Sequence, residues 1–212
     1  MIRVRIFSIV LGIILVGNTG GVGATEVVAN RQWSWDEFWL GIVGRRRQDP
    51  PLGSRGGTIC LVTPVSTGKV GVPVIWREVP IVVWQGLAGR MEVYDQQTKE
   101  LMGSRLLPIG RSQVAYVGKP LLPGRTYDLK LLSMSNASIP PEYSTFQMMS
   151  VAERKTIDRL LDRRSVEERT HFWVERENLN EAIAELYQAE GSPEVREVRQ
   201  QLQDGLCLYS PS

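Results

Sequence analysis

The sequence is poor in the residues that most catalytic and metal sites need. It contains one histidine and two cysteines among 212 residues. This composition excludes a site with two imidazoles, a zinc site made of four thiolates and a scaffold held by many disulfides. The formal net charge of +2 is too small to indicate a nucleic-acid-binding protein.

Glycine and proline, by contrast, are frequent. The chain has 20 glycines and 12 prolines, with 42% hydrophobic and 23% charged residues. The hydrophobic and charged fractions are typical of a globular chain and not of a disordered one. The many turn-forming residues favour a β-rich protein over a helical bundle.

The N-terminus has the pattern of a signal peptide. Arg3 and Arg5 precede an apolar run over residues 6–16. As a helix this run reaches about 16 Å, against about 30 Å of hydrocarbon core in a bilayer. Small residues at 22–24 fit the site that a signal peptidase reads. We predict that residues 1–24 are removed and that the protein is periplasmic or secreted, with no stable membrane span after cleavage; an uncleaved anchor is the alternative.

Residues 25–57 are predicted to form a linker with an aromatic patch and a basic loop. Helical spacing places Trp35, Phe38 and Trp39 on one face. This face either folds back on the core or docks on a membrane surface or a partner. The run at 45–47 is three arginines, which form either a solvated loop or a site for anionic lipid or polysaccharide.

Residues 58–149 have the pattern of a β-sandwich. Short apolar stretches recur between Gly, Pro, Asn or Ser turns, and Tyr127, Leu129 and Leu131 alternate with polar residues. We predict an antiparallel sandwich of the immunoglobulin or fibronectin type, followed by helices, in an α+β protein. The predicted strands are residues 58–63, 72–76, 81–84, 90–95, 101–106, 112–117, 126–132 and 143–149.

The turn at 122–127 resembles the entry to a late strand in immunoglobulin-like and fibronectin-type sandwiches. In those folds a tyrosine hydroxyl ties the corner to the backbone. We predict this structural role for Tyr127 and no catalytic one.

Residues 150–205 change to a helical pattern, followed by a tail at 206–212. Ser150 with Glu153 and Ser165 with Glu168 predict capping boxes for two helices. Asn178 is predicted to cap a third helix, and a fourth is expected to run from Pro193 to Gly205. The pattern over 172–193 resembles a single tetratricopeptide-like hairpin.

One such hairpin cannot bury its own apolar face. It must therefore lean on the sandwich or on another protein. The third helix presents Leu179, Ile183 and Leu186 at helical spacing. These three residues, with Trp35 and Trp39, are the predicted interaction face.

With both regions placed, the chain resembles a cyanobacterial family of secreted proteins catalogued as domain of unknown function 928. The resemblance rests on residues 55–64 at the start of the sandwich, on the turn at 122–127 and on the helical segments 151–154 and 172–186. It covers about residues 44–205. The chain has Glu177-Asn178 where the family has a glycine between the paired helices. The resemblance implies a fold and secretion but no activity.

No catalytic, cofactor-binding or metal-ligating residue is predicted. His171, the one candidate base, lies in a predicted helix beside two aromatic residues, and no Gly-x-Ser-x-Gly elbow accompanies it. The segment 66–69 imitates the end of a phosphate-binding loop but lacks the first glycine. Cys60 and Cys207 either form a disulfide outside the cytoplasm or are both simply buried.

Three functions stay open at this point. The first is an exported, non-catalytic module that binds another cell-envelope protein. The second is a module that binds glycan or exopolysaccharide, with Trp76, Trp84 or the aromatic cluster at 33–39 as a stacking platform. The third is an enzyme with an unrecognised site. A cofactor and a nucleic-acid partner are not expected for the protein.

Overall fold

A computed structural model describes residues 59–65, 71–134, 139–189 and 193–207. The predicted signal peptide, aromatic patch and basic loop lie outside these residues, and so do the segment 66–69 and most of the predicted tail. Trp35 and Trp39 are therefore not placed.

The described ranges contain eight strands and four helices, and each predicted strand segment overlaps one of the strands. The prediction of a mixed α+β protein is confirmed. The strands are β1 (Ile59–Thr63), β2 (Val74–Ile75), β3 (Ile81–Gly86), β4 (Ala88–Asp95), β5 (Leu101–Leu106), β6 (Gln113–Ala115), β7 (Thr126–Ser133) and β8 (Glu142–Met148). The helices are α1 (Val151–Leu161), α2 (Val166–Glu175), α3 (Leu179–Gln188) and α4 (Pro193–Cys207).

The strands form two sheets. One has the order β1-β3-β6, and the other has the order β2-β8-β7-β4-β5. All pairs are antiparallel except β2 with β8, where Val74 lies opposite Gln147 in a parallel pair. The prediction of a purely antiparallel arrangement is wrong at this pair. A strand of two residues has no pattern that indicates its direction.

The three-stranded sheet lies between the helices and the five-stranded sheet. Successive side chains of a strand point to opposite faces. In β3, Val82 and Trp84 belong to the core shared with the five-stranded sheet. Ile81 and Val83 belong to the core shared with the helices. Burial on both faces explains why this strand is continuously apolar.

The five-stranded sheet covers the other side of the first core. Tyr127, Leu129 and Leu131 of β7 are fully buried in it. Asp128 and Lys130, between them, face away from the core and are partly exposed. The predicted alternation is confirmed.

The predicted role of Tyr127 is also confirmed. Its hydroxyl oxygen accepts a hydrogen bond from the backbone N–H of Leu122 at 2.7 Å. The turn before β7 is thereby tied to a side chain that is anchored in the core.

The helix starts follow the sequence closely. Ser150 with Glu153 and Ser165 with Glu168 form the predicted capping boxes of α1 and α2. The predicted end of the fourth helix at Gly205 is two residues early, because α4 continues to Cys207.

The turn between α2 and α3 contains a left-handed residue. Glu177 has a φ of 59°, a conformation that glycine adopts at little cost. Asn178 follows as the predicted cap, and its side chain accepts a hydrogen bond from the Glu181 N–H at 3.3 Å.

Helices α2, α3 and α4 lean on the three-stranded sheet. Their buried side chains form one core with Val62 of β1 and with Ile81 and Val83 of β3. The sequence predicted that the helices lean either on the sandwich or on another protein. In the structure they pack on the three-stranded sheet of the same chain. Among the helices that the structure describes, none combines the length and apolarity needed to cross a membrane.

A disulfide joins the two ends of the described chain. Cys60 of β1 and Cys207 of α4 are bonded, with their Cα atoms 5.8 Å apart and a separation of 147 positions in sequence. The sequence left open whether these cysteines form a disulfide or are simply buried, and the structure shows the disulfide. It fixes the last turn of α4 to the first strand.

Replacement of Tyr127 by Phe is expected to lower the free energy of unfolding by about 1–2 kcal/mol, because the Leu122 N–H loses its acceptor. Urea unfolding followed by tryptophan fluorescence measures the change. Tyr143→Phe is the matched control, since Tyr143 is 61% exposed and loses the same hydroxyl. Equal stability of Y127F and wild type would contradict the assigned role.

Reduction of the disulfide is expected to lower the free energy of unfolding by about 2–5 kcal/mol, because opening a loop of this length frees the unfolded chain. Urea unfolding with and without a thiol reductant measures this loss. The Cys60→Ala/Cys207→Ala variant should match the reduced wild type and should not respond to the reductant. A wild type that is equally stable in both conditions contradicts the prediction.

Candidate functional site

The predicted interaction face on the third helix lies inside the protein. Leu179 is 7% exposed, and Ile183 and Leu186 have no exposed surface. All three pack in the core between the helices and the three-stranded sheet. They are therefore not available to a partner, because the sheet of the same chain already covers them.

Polar groups at the start of α3 fix this docking. The Asn180 side-chain oxygen accepts hydrogen bonds from the Thr63 hydroxyl at 3.0 Å and from the Val65 N–H at 2.8 Å. Its amide nitrogen donates to the Val65 carbonyl at 3.2 Å. One buried side chain thus satisfies three groups where the chain leaves β1.

Two glutamates one turn apart continue this contact. Glu181 and Glu185 are each 1% exposed. Glu181 accepts a hydrogen bond from the Trp76 N–H at 2.8 Å. Arg77 forms ion pairs with Glu181 at 2.9 Å and with Glu185 at 2.7 Å, and Arg169 pairs with Glu185 at 2.9 Å. The Arg77 Nε and Nη2 atoms lack aligned hydrogen bonds, so Arg77 holds the two carboxylates mainly by charge.

Burial raises the pKa of Glu181, while the charge of Arg77 and the backbone amides of Trp76 and Arg77 oppose the rise. A carboxyl with a raised pKa in the folded state binds its proton more tightly there than in the unfolded chain. Its contribution to stability therefore falls as the pH rises from the unfolded pKa through the folded one. Arg77 limits this loss.

Two of the tryptophans predicted as a glycan platform have structural contacts. Trp84 is 1% exposed in the core between the sheets. Trp76 packs on Trp173 with ring centroids 5.5 Å apart and planes tilted by 46°. Its Nε1 donates to Asp158 of α1 at 2.8 Å. Trp76 and Trp84 do not form a coplanar exposed pair.

His171 lies on α2 with Glu175 one turn later, at 3.6 Å. Its side chain is 42% exposed. In the part of the chain that the structure describes, no group of three or more His, Cys, Asp or Glu side chains is placed to hold a metal ion.

The outer face of the five-stranded sheet is polar and aromatic. Glu92 lies opposite Lys130, and Lys130 opposite Tyr143, on three neighbouring strands. The Tyr94 hydroxyl donates to Glu92 at 2.9 Å, and this bond raises the pKa of Tyr94. Lys130 lies 5.8 Å from the centre of the exposed Tyr143 ring.

Exposed apolar side chains lie along β5, the last strand of this sheet. Leu101 and Leu106 are 44% and 74% exposed, and Ile109 in the following loop is 80% exposed. Val117 is 55% exposed in the segment beside β5. We name Leu101, Leu106, Ile109 and Val117 the edge patch.

Two glycines allow this segment to approach β5 closely. A Cβ on Gly103 would lie 2.5 Å from the Val117 carbonyl oxygen. A Cβ on Gly118 would meet the Met102 carbonyl oxygen even more closely. The Lys119 N–H donates to that Met102 oxygen at 2.8 Å. The first half of the β5 edge is thus covered, and the half with Leu106 borders the loop to β6.

A cleft of about 380 Å³ opens beside the same loop, between it, α4 and the end of α3. Among the residues that the structure describes, three arginines and three glutamines contribute to its lining. We name it the basic cleft. These six residues are Arg111, Arg196, Arg199, Gln113, Gln200 and Gln203.

Arg199 is held at one wall of the cleft. Its guanidinium donates to the Leu186 carbonyl at 2.9 Å and to the Ala189 carbonyl at 2.6 Å. These acceptors carry no net charge and end α3, where a cation is favoured. Removal from water lowers the pKa of Arg199, and the positive charge of Arg196 lowers it further, while the Tyr187 hydroxyl opposes them.

The sequence did not single out the edge patch or the basic cleft. The apolar residues at 106, 107 and 109 beside Pro108 were a local signal for an exposed loop, but Leu107 is buried. Arg196 and Arg199 are one turn apart on α4, which pattern alone attributes to a solvated face.

The comparisons add no relative. No family model, no curated protein and no solved structure matches the chain. The resemblance to the cyanobacterial family therefore stays a prediction, and so do the immunoglobulin-like topology and the tetratricopeptide-like hairpin.

Replacement of Arg77 by Ala is expected to cost about 3–5 kcal/mol of unfolding free energy, because it leaves two buried carboxylates without their shared cation. Lys99→Ala is the control; Lys99 is 71% exposed and pairs with Asp128 at 3.5 Å, so its loss should cost less than about 1 kcal/mol. Urea unfolding measures both.

A double-mutant cycle tests the cause. In a Glu181→Gln/Glu185→Gln background, Arg77→Ala should cost much less, because no buried charge is left unpaired. An equal cost in both backgrounds means that Arg77 acts by packing and not by charge.

Proposed function

We propose that the protein is an exported, non-catalytic module of the cell envelope that binds another protein through the edge patch. The observation that carries this proposal is the exposure of Leu106 and Ile109, at 74% and 80%, on the last strand of a sheet and the loop that follows. Apolar side chains at that position are available for contact with a partner.

The physical basis is the free energy of burial. Covering apolar surface contributes about 25 cal/mol per Å², and exposed apolar patches commonly mark interaction sites. The Leu107 N–H bonds to the Gly89 carbonyl of β4, so in antiparallel geometry the backbone of Leu106 faces away from β4.

The disulfide supports the export part of the proposal. Disulfides persist outside the cytoplasm and are uncommon within it. The bond between Cys60 and Cys207 agrees with the predicted signal peptide.

A glycan-binding module is the second candidate, and the outer face of the five-stranded sheet favours it. Tyr143 is 61% exposed beside Lys130 and Glu92. An exposed aromatic ring among hydrogen-bonding groups suits a sugar face and its hydroxyls. This site differs from the tryptophan platform that the sequence indicated.

Capture from native cells tests the proposal. The full chain with a C-terminal tag is cross-linked mildly in the envelope, purified, and compared with Leu106→Asp/Ile109→Asp. The control is Val151→Asp/Leu160→Asp, which changes two exposed residues of α1. The identified partner should then bind the purified wild type and control alike, and bind the edge-patch variant about tenfold or more weakly.

Circular dichroism checks that all variants fold. A partner that binds the edge-patch variant as tightly as wild type contradicts the proposal. Capture of no protein, with retention on exopolysaccharide that Tyr143→Ala abolishes, moves the assignment to glycan binding.

A further inference from the structure

We infer that the aromatic segment at residues 33–39 docks on an exposed apolar surface of the same chain, at the place where the chain enters β1. This surface consists of Leu87, Leu106, Ile109 and Met134, which we name the entry patch. Their side chains are 51%, 74%, 80% and 45% exposed. The carrying observation is that β1 begins beside this patch, so that the segment is tethered next to it.

The entry patch lies at the start of β4. Met134 follows β7, and its N–H donates to the carbonyl of Leu87, just before β4, at 2.9 Å. Leu106 ends β5, and the N–H of the next residue, Leu107, donates to the Gly89 carbonyl of β4 at 2.9 Å. The start of β4 therefore has Leu106 on one side and Met134 on the other.

Gly89 lets the two sides come together. A Cβ at this position would lie 2.9 Å from the Cα of Met134, which is closer than the distance of about 3.5–4.0 Å at which carbon atoms pack. Because glycine has no side chain, none stands between the ends of β5 and β7 here. The exposed apolar surface is thus continuous across three strands.

The chain reaches β1 beside this patch. Ile59, the first residue of β1, lies opposite Gly86 in the antiparallel pair of β1 with β3. Gly86 directly precedes Leu87. The residues that come before β1 are therefore joined to the fold next to the entry patch.

The connection is long enough for docking. Trp39 and Ile59 are 20 positions apart, which allows a reach of up to about 70 Å. Because the segment belongs to the same chain, its effective concentration at the patch is on the order of millimolar. A contact of modest affinity is then enough to keep the segment docked.

The two surfaces match chemically. Helical spacing places Trp35, Phe38 and Trp39 on one face of the segment, and burial of such a face is favourable in water. Aliphatic side chains pack well on aromatic rings, and a methionine sulfur makes favourable contacts with them. Met134 supplies this sulfur at the patch.

The same chain is favoured over a second copy or a membrane as the source of the occupant. Association of separate bodies loses translational and rotational freedom. The tethered segment does not bear this cost, and it starts beside the patch. A second copy and a lipid surface therefore become outcomes of the test.

The docked segment competes with the partner proposed above. Leu106 and Ile109 belong to both the entry patch and the edge patch, so the segment and the partner cannot cover them together. This consequence rests on the proposed function, whereas the docking itself does not. Release of the segment then controls access to the edge patch.

Photo-cross-linking tests the docking in the protein as the cell exports it. The photo-reactive residue benzoylphenylalanine replaces Trp39, and the protein is purified from the envelope, irradiated and digested for mass spectrometry. We expect cross-links from position 39 to peptides that contain Leu87, Met134 or residues 106–109, in a product with the mass of one chain.

Two surface variants locate the contact. Leu87→Asp/Met134→Asp should lower the yield of this cross-link about fivefold or more, because it places charges in an apolar contact. Val151→Asp/Leu160→Asp is the matched control, since it changes two exposed residues of α1, and it should leave the yield unchanged. Circular dichroism checks that both variants fold.

A second position controls for random contact. The same photo-reactive residue in place of Trp33 lies off the face that carries Trp39 if the segment is helical. Its yield at the entry patch should therefore be lower. Equal yields from the two positions contradict docking through the aromatic face.

Other cross-links also overturn the inference. Cross-links to the helices or to other strands place the segment elsewhere on the chain. Cross-links between two chains assign the entry patch to a second copy, and cross-links to lipid alone assign the segment to a membrane surface. Absence of any cross-link from position 39 removes the docking.

The competition has its own measurement. Trp35→Ser/Phe38→Ser should bind the captured partner about threefold or more tightly than wild type, because the partner binds only the fraction of the chain whose patch is free. An unchanged affinity overturns the competition.

The two proposals fail in different ways. A partner that needs the edge patch, together with no cross-link at the entry patch, leaves the proposed function standing and overturns this inference. Capture of no protein overturns the proposed function, and the cross-links still decide whether the segment docks.

Discussion

The helical region is held in place by polar side chains at the start of α3, which dock where the chain leaves β1 and β2. Apolar packing of Ile183 and Leu186 drives this contact but is not directional. Asn180 and Glu181 supply the direction, because each is buried and hydrogen-bonded to a defined backbone group. A shift of α3 by one turn would leave these groups without partners, at a cost of about 1–3 kcal/mol each.

The position of α4 follows from that of α3. Arg199 of α4 donates to carbonyls at the end of α3, and Cys207 closes the last turn onto β1. Only with α4 in this place do Arg196 and Arg199 face Arg111 across the cleft. The position of the cleft thus depends on the contacts that hold α3 and α4 in place.

One segment of the chain borders both the edge patch and the cleft. The loop between β5 and β6 carries Ile109, which is exposed, and Arg111, which lines the cleft. Burial of the apolar side chains supplies the affinity of the proposed contact. A module that contacts a partner in this way needs exposed, prearranged side chains and not a reactive group.

The sequence by itself determined the eight strand segments, the capping boxes of α1 and α2 and the hydroxyl tie of Tyr127, because strand period, caps and turns are encoded by neighbouring residues. The tertiary structure alone decided the direction of β2, the burial of Leu179, Ile183 and Leu186, the bond between Cys60 and Cys207, and the convergence of three arginines on one cleft. An apolar helix face indicates that the face is buried, but it does not indicate whether the sheet of the same chain or a partner protein covers it. Residues far apart in sequence meet only through packing, which local pattern does not encode.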